Sequence, residues 1–254
     1  MMRLFTLLVW LCLVFAASTV HSAGTLTDNR IISSFALEYD LQYRVYLPEG
    51  YETLENLPVI YITDGQWYIG GGDMPAKIDE EILEGRIEPV IAVFIDNRDP
   101  HNLRDNRRNY QFFCNKDYVR FFGEELIPEI DGDFKTHADR ESRVILGLSF
   151  GGLNSACFGV YAYPIFAGIA MQSPALHPVR NLYDMYSQAG KLPIKIFISS
   201  GSVNDNTQAN RRWHKHLKEI GYDVEYREIR QGHNWKNWRP LLDDVLQTYF
   251  SVQN

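Results

Sequence analysis

Six short, mostly apolar runs of β-forming residues punctuate the chain at positions 59–63, 90–95, 144–147, 168–172, 194–199 and 224–229. Helical patterns lie between several of them, at 118–130, 152–161 and 208–220, with a last one at 241–250. That alternation is the strongest constraint on the fold. An apolar run without interleaved polar residues has no face to offer water, so each such strand must be covered on both sides. Strands separated by helices reach parallel neighbours through crossovers. The expectation is an α/β domain with a mostly parallel central sheet and helices on both faces. Residues 35–47 alternate instead and end at Pro48-Glu49-Gly50, which predicts an N-terminal antiparallel hairpin or two edge strands.

In sheets of this kind chemistry gathers at the carboxyl ends of the strands. One such end carries a specific pattern. Val144-Ile145-Leu146 runs directly into Gly147-Leu148-Ser149-Phe150-Gly151, which reads as a nucleophile elbow, a strand–turn–helix junction that pushes one serine hydroxyl clear of the backbone. The flanking glycines suit it, because a Cβ at 147 or 151 would meet the neighbouring strand or helix.

A serine hydroxyl needs a base to take its proton and a third group to hold that base in one tautomer. In this type of fold the order along the chain is serine, then acid, then histidine. Of seven histidines, His21 falls in the leader, His101 and His137 precede the serine, and His214 and His216 sit two apart in a helical stretch. His177 follows a strand but precedes any late acid. His233, in Gln231-Gly232-His233-Asn234-Trp235 just past the last strand, is the candidate base. Asp205, in the loop after strand 194–199, is the candidate acid, with neighbouring Asn204 or no effective third member as rivals and an N-cap as its structural alternative. The backbone N–H of Phe150 and that of Gln66, in Asp64-Gly65-Gln66-Trp67, are candidate donors to an oxyanion.

The chain of 254 residues has 45% hydrophobic and 22% charged residues, enough for one globular domain. A formal charge of -7 without a basic stripe argues against a nucleic-acid partner. Met1-Met2-Arg3, an apolar stretch at 4–17 and a small, polar stretch at 18–23 read as a secretory signal peptide, with an uncleaved anchor as the alternative. The expected division is therefore a leader over 1–23 and a single domain over 24–254, exported to a periplasm or secreted, with no stable membrane span once the leader is removed. Cys114 and Cys157 are too few for a disulfide scaffold and too far apart for a metal motif. Buried thiols are expected, although export would permit a bridge. No phosphate loop, HExxH or CxxC pattern occurs, so neither cofactor nor metal is expected.

The polar connection 97–115 is either part of the substrate site or a solvated loop. Trp67, Tyr68, Trp235 and Trp238 are candidates to line a pocket, and Arg98, Arg104 and Arg107 to meet an anionic group, with core packing an equal account of the tryptophans.

Taken together, Tyr46-Leu47-Pro48, the segment 59–65, Glu125-Leu126-Ile127-Pro128, Gly147-Leu148-Ser149-Phe150-Gly151-Gly152-Leu153, Gln172-Ser173-Pro174 and Gly232-His233-Asn234-Trp235 with Trp238 resemble an esterase family of α/β-hydrolases. It holds enterochelin esterases, S-formylglutathione hydrolases, feruloyl and acetylxylan esterases and mycolyltransferases. The resemblance covers nearly all of the mature chain. It implies the α/β-hydrolase fold, Ser149 as nucleophile and His233 as base. The family acid usually stands where this chain has Asn204, one place before Asp205. Asn97-Arg98 and Cys114-Asn115 look more like the enterochelin-esterase side, and a leader disfavours a cytosolic thioester. The expected function is an exported serine hydrolase acting on a small-molecule or glycan-linked ester. An acyltransferase of the same fold and a non-catalytic ligand-binding homologue are the alternatives.

Overall fold

The computed structural model describes residues 23–252; the leader expected over 1–23 lies outside them apart from Ala23. The strands are β1 (Thr25–Leu26), β2 (Arg30–Ser34), β3 (Tyr39–Leu47), β4 (Val59–Thr63), β5 (Ile91–Asp96), β6 (Arg98–Asp99), β7 (Asn102–Asn106), β8 (Arg143–Leu148), β9 (Gly168–Gln172), β10 (Lys195–Gly201) and β11 (Val224–Ile229). The helices are α1 (Gly65–Gly70), α2 (Met74–Leu83), α3 (Arg108–Phe112), α4 (Lys116–Phe121), α5 (Ile127–Asp133), α6 (Phe150–Tyr161), α7 (Leu182–Ala189), α8 (Thr207–Ile220), α9 (Trp235–Trp238) and α10 (Leu242–Phe250).

The main sheet runs β1-β3-β5-β4-β8-β9-β10-β11, with β2 also paired to β3. Every pair from β5 to β11 is parallel, and the pairs involving β3 are antiparallel. Period-two alternation divides each apolar strand between two cores. In β4, Val59 and Tyr61 join one cluster with side chains from α3 to α8, whereas Ile60 and Ile62 join a second with side chains from α1, α2, α9 and α10. Both faces are thus covered, as the unbroken apolar runs require, and this is the α/β-hydrolase fold.

Three sequence expectations change. The N-terminal hairpin exists, but its strands are β2 and β3; residues 35–38 form the turn, with Phe35 70% exposed. Buried Glu125 fixes that turn by accepting hydrogen bonds from the N–H groups of Phe35 (3.2 Å) and Ala36 (3.0 Å) and from the Ser34 hydroxyl (3.2 Å). The helix expected at 118–130 is α4, a π-helical turn at Phe122–Leu126, and α5. Finally, Cys114 and Cys157 are not thiols. They form a disulfide, with Cα atoms 5.1 Å apart, that ties the segment after α3 to the middle of α6.

The connectivity also places the site. From β4 the chain moves to β5 on one side, then returns past β4 to β8 and proceeds outward to β11. The strand order reverses between β4 and β8, and their carboxyl ends open a crevice there. Asp64-Gly65-Gln66 and Leu148-Ser149-Phe150 are the residues at those two ends.

Candidate active site

Ser149 has φ 56° and ψ −116°, a conformation that L-residues rarely adopt and that costs on the order of 1–3 kcal/mol. The strain is held by hydrogen bonds from the Ser149 N–H to the Gln172 carbonyl (2.8 Å), and to the Ser149 carbonyl from the N–H groups of Leu153 (3.1 Å) and Ala175 (3.0 Å). It also needs Gly147, where a Cβ would lie 2.2 Å from the carbonyl carbon of Gly151.

Two further loops meet this elbow. The loop after β10 carries Asp205 and that after β11 carries His233, and they are stitched by hydrogen bonds from the Val203 N–H to the Gln231 carbonyl (3.1 Å) and from the His233 N–H to the Asn204 carbonyl (3.3 Å). Gly201 permits the approach, since a Cβ there would stand 2.1 Å from the Gln231 oxygen. As a result His233 Nε2 lies 2.9 Å from Ser149 Oγ, and His233 Nδ1 lies 2.6 Å from Asp205 Oδ1. The imidazole packs edge-on against Trp238, ring centroids 5.0 Å apart.

The environment of Asp205 favours its charged form. Burial alone pushes the carboxyl pKa upward, but hydrogen bonds from His233, the Ser173 hydroxyl and the N–H groups of Gly201 and Asn206 more than offset it and bring it down to about 2. Asn237 Nδ2 also donates to Oδ2 (3.0 Å). Ser173 is itself fixed, donating to Asp205 (2.6 Å) while accepting from Asn237 Nδ2 (2.9 Å) and Trp238 Nε1 (3.0 Å). An ionised carboxylate can only accept, so Nδ1 of His233 carries the proton and Nε2 turns its lone pair toward the serine.

At the other wall of the crevice, Asp64 adopts a left-handed conformation (φ 58°, ψ 33°), and its carbonyl accepts from the N–H groups of Trp67 (2.9 Å) and Tyr68 (3.3 Å). This turn starts α1. The N–H groups of Gln66 and Phe150 lie at the first turns of α1 and α6, and neither donates to a backbone carbonyl among the described residues. The Gln66 side chain is anchored to Asn97 Oδ1 (2.9 Å), and Asn97 in turn donates to Asn106 (2.7 Å).

Residues 34–249 match the family described as "Putative esterase". The chain belongs to this esterase family. It is 26% identical over 236 residues to an uncharacterized Bacillus subtilis protein, YjcH, covering 88% of this chain and 97% of that one. An iron(III) salmochelin esterase of Escherichia coli O6:H1 is 24% identical over 244 residues, covering 89% of this chain but only 57% of its longer relative. Among solved structures, a ferulic acid esterase superposes with a TM-score of 0.76 at 18% identity, over 90% of this chain and 97% of that one. The family and two of these relatives are named for esterase activity.

The remaining candidates fare unevenly. Trp67 stands at the crevice with 39% of its surface exposed. Tyr68, expected at the pocket, is instead wholly buried with its hydroxyl donating to Gln172 (3.0 Å), because α1 turns that side chain into the core. Trp235 is half-buried, edge-on to both Tyr68 and Trp238, and serves as packing. Arg107, expected to meet substrate, is engaged by Asp99 and Asp105 and lies 4.2 Å above the Tyr39 ring. Arg98 is likewise paired, with Asp96. The segment 97–115 is not one loop, since β6 and β7 pair as a small hairpin and α3 follows.

Sequence reasoning passed over Arg108, the neighbour of Arg107. Its Nε and Nη2 donate to the two carboxylate oxygens of Asp64 at 2.7 and 2.8 Å, and Nη2 also donates to the Leu148 carbonyl at 3.1 Å. Burial pushes the Asp64 pKa up, to about 6, against the opposing pull of this guanidinium, which leaves an ion pair at neutral pH. Ser173, quoted above within the segment Gln172-Ser173-Pro174, was given no role, and Asn237 was passed over; both gain their meaning from the three-dimensional network around Asp205.

Beside the crevice lies a cavity of about 370 Å³ lined by residues including His177, Val179, Arg180, Tyr183 and Arg212. It adjoins the elbow, because the His177 and Phe150 rings are 5.6 Å apart. Arg211 is paired with Glu228, but neither Arg180 nor Arg212 has a carboxylate within ion-pair distance among the described residues.

Proposed function

We propose that the protein is an exported serine hydrolase that cleaves a carboxylic ester through an acyl-enzyme. One observation carries the reading: the unbroken relay from Ser149 Oγ to His233 Nε2 (2.9 Å) and from His233 Nδ1 to Asp205 Oδ1 (2.6 Å). His233 takes the serine proton as Oγ attacks the ester carbonyl, and Asp205 stabilises the imidazolium that forms. The N–H groups of Phe150 and Gln66 receive the oxyanion. The protonated imidazole then gives its proton to the leaving alcohol, and a water activated by the same imidazole releases the acid.

Export is supported by the leader-like residues 1–23 and by the disulfide, a bond characteristic of oxidising compartments. For the substrate, relatives named for salmochelin and ferulic acid point to a small-molecule or glycan-linked acyl ester. Arg180 and Arg212, which line the cavity beside the elbow and have no carboxylate partner among the described residues, favour an ester whose non-reacting portion carries negative charge.

The test is steady-state hydrolysis of salmochelin, feruloyl and acetyl-glycan esters by the mature chain and by Ser149→Ala. Loss of about 10⁶-fold in kcat is expected, roughly 8 kcal/mol at about 1.36 kcal/mol per decade. Equal turnover by the two proteins refutes the assignment.

A further inference from the structure

The ladder between β4 and β8 ends at the pairing of Ile62 with Leu146. Beyond that rung the two strands no longer exchange backbone hydrogen bonds, and the crevice opens. The two N–H donors assigned to the oxyanion lie past this point, one on each strand's continuation, so their separation is not set by the sheet. Something else must hold it.

Two bridges cross the gap. The Thr63 hydroxyl donates to the Leu146 carbonyl at 3.2 Å, still close to the last rung. Farther out, among the described residues, the Arg108 fork joins the two continuations directly, while the Tyr68 hydroxyl reaches from α1 past them to Gln172 on β9 (3.0 Å). The fork grips both carboxylate oxygens of Asp64, the residue whose left-handed turn starts α1 and aims the Gln66 N–H. It also grips the carbonyl of Leu148, the residue immediately before Ser149. The guanidinium is itself immobilised among aromatic rings, 5.3 Å from the Trp67 centroid, 5.4 Å from Phe112 and 5.2 Å from Phe150. Its side chain is only 11% exposed and that of Asp64 is wholly buried. The small hairpin and α3 deliver it there: the Asn106 side chain accepts from the Arg108 N–H (3.0 Å) and from Asn97, which also holds Gln66.

We propose that Arg108 is a positioning residue for the oxyanion site, a brace that ties the turn at Asp64 to the carbonyl before Ser149 and so fixes the spacing of the Gln66 and Phe150 N–H groups. This rests on the serine-hydrolase reading given above. Arg108 does not meet the ester. A planar fork with parallel donors satisfies Asp64 and Leu148 together, which a lysine ammonium cannot do with the same geometry. Because the oxyanion develops only as the carbonyl is attacked, misplacing one donor should slow turnover and leave ground-state binding nearly untouched.

The experiment compares the parent, Arg108→Lys and Asp64→Asn. Reactive serines are first counted by stoichiometric labelling with a fluorophosphonate, and kcat and KM on a 4-nitrophenyl ester are then expressed per labelled serine. The expected result for both variants is a fall in kcat per labelled site of about 10-fold to 10³-fold, with KM within about twofold. A brace that serves only stability would lower the number of labelled sites and leave kcat per site unchanged. That outcome, or a loss confined to KM, overturns the proposal. Ser149→Ala run alongside separates the two claims: if it keeps its activity, the serine reading fails whatever Arg108 does.

Discussion

Replacing Asp205 by asparagine exchanges one carboxylate oxygen for an NH2 group, and the surrounding donors decide its consequences. In the parent, Oδ1 accepts from His233 Nδ1 at 2.6 Å and from the Asn206 N–H at 2.7 Å, while Oδ2 accepts from Ser173 at 2.6 Å, from Asn237 at 3.0 Å and from the Gly201 N–H. An asparagine NH2 at the Oδ2 position would face four donors, these three and the Ser200 hydroxyl at 3.4 Å. At the Oδ1 position it faces two donors, the Asn206 N–H and the imidazole, and the imidazole can respond by moving its proton to Nε2. That is the lesser conflict, and it leaves the base with a proton where it needs a lone pair. The expected cost in kcat is about 10⁴-fold, or roughly 5 kcal/mol. Stability should fall as well. The carboxyl is held at about 2 against an ordinary 3.8. A group with a depressed folded-state pKa stabilises above its unfolded value, so Asp205 stabilises the fold at neutral pH, and that contribution disappears as pH falls through 2. Urea unfolding of the parent and Asp205→Asn at pH 7 and near pH 2 reads this directly: the gap should narrow at the lower pH. Turnover of a 4-nitrophenyl ester gives the kinetic half, with Asn204→Ala as control, expected within about threefold of the parent. If Asp205→Asn keeps turnover within tenfold while Asn204→Ala loses it, the acid has been misassigned.

Two further outcomes are expected. The disulfide closes a loop between residues 43 apart, and loop-closure entropy gives about 4 kcal/mol as a ceiling, so Cys157→Ser or reduction should lower the urea-derived stability by roughly 2–4 kcal/mol; no change with reductant would contradict it. With the 4-nitrophenyl ester of hexanoic acid and the mono-ester of adipic acid, kcat/KM should favour the acid-bearing chain, and Arg180→Gln with Arg212→Gln should erase that preference while sparing the neutral ester. A preference that survives the double substitution removes the anionic reading of the cavity.

The parallel strands were legible in the sequence, because burial on both faces leaves an unbroken apolar run such as Val59-Ile60-Tyr61-Ile62. The strained elbow and the position of His233 beside it were legible too, because strain demands glycine and the loops past the strand ends converge on one edge of the sheet. The turn at residues 35–38 was not: Phe35 and Leu37 continue the alternation, yet the chain reverses there because Glu125, 90 residues from Phe35, accepts the turn's N–H groups. Arg107 and Arg108 are indistinguishable in sequence. Which one turns inward depends on where α3 begins, and Arg108 heads that helix four residues before buried Phe112. Tyr68 was misplaced for a similar reason, since α1 is a six-residue helix with too short a pattern to reveal its buried side. The bridge between Cys114 and Cys157 depends on a tertiary approach that spacing alone does not encode.

The central claim is that Ser149 is made reactive by His233. The most direct measurement is mass mapping of the adduct formed by a fluorophosphonate on the folded parent and on His233→Ala. A single adduct on the peptide bearing Ser149, formed in the parent and slowed by at least about 10³-fold in the variant, is the predicted result. An adduct on another residue, or equal labelling of the two proteins, contradicts it.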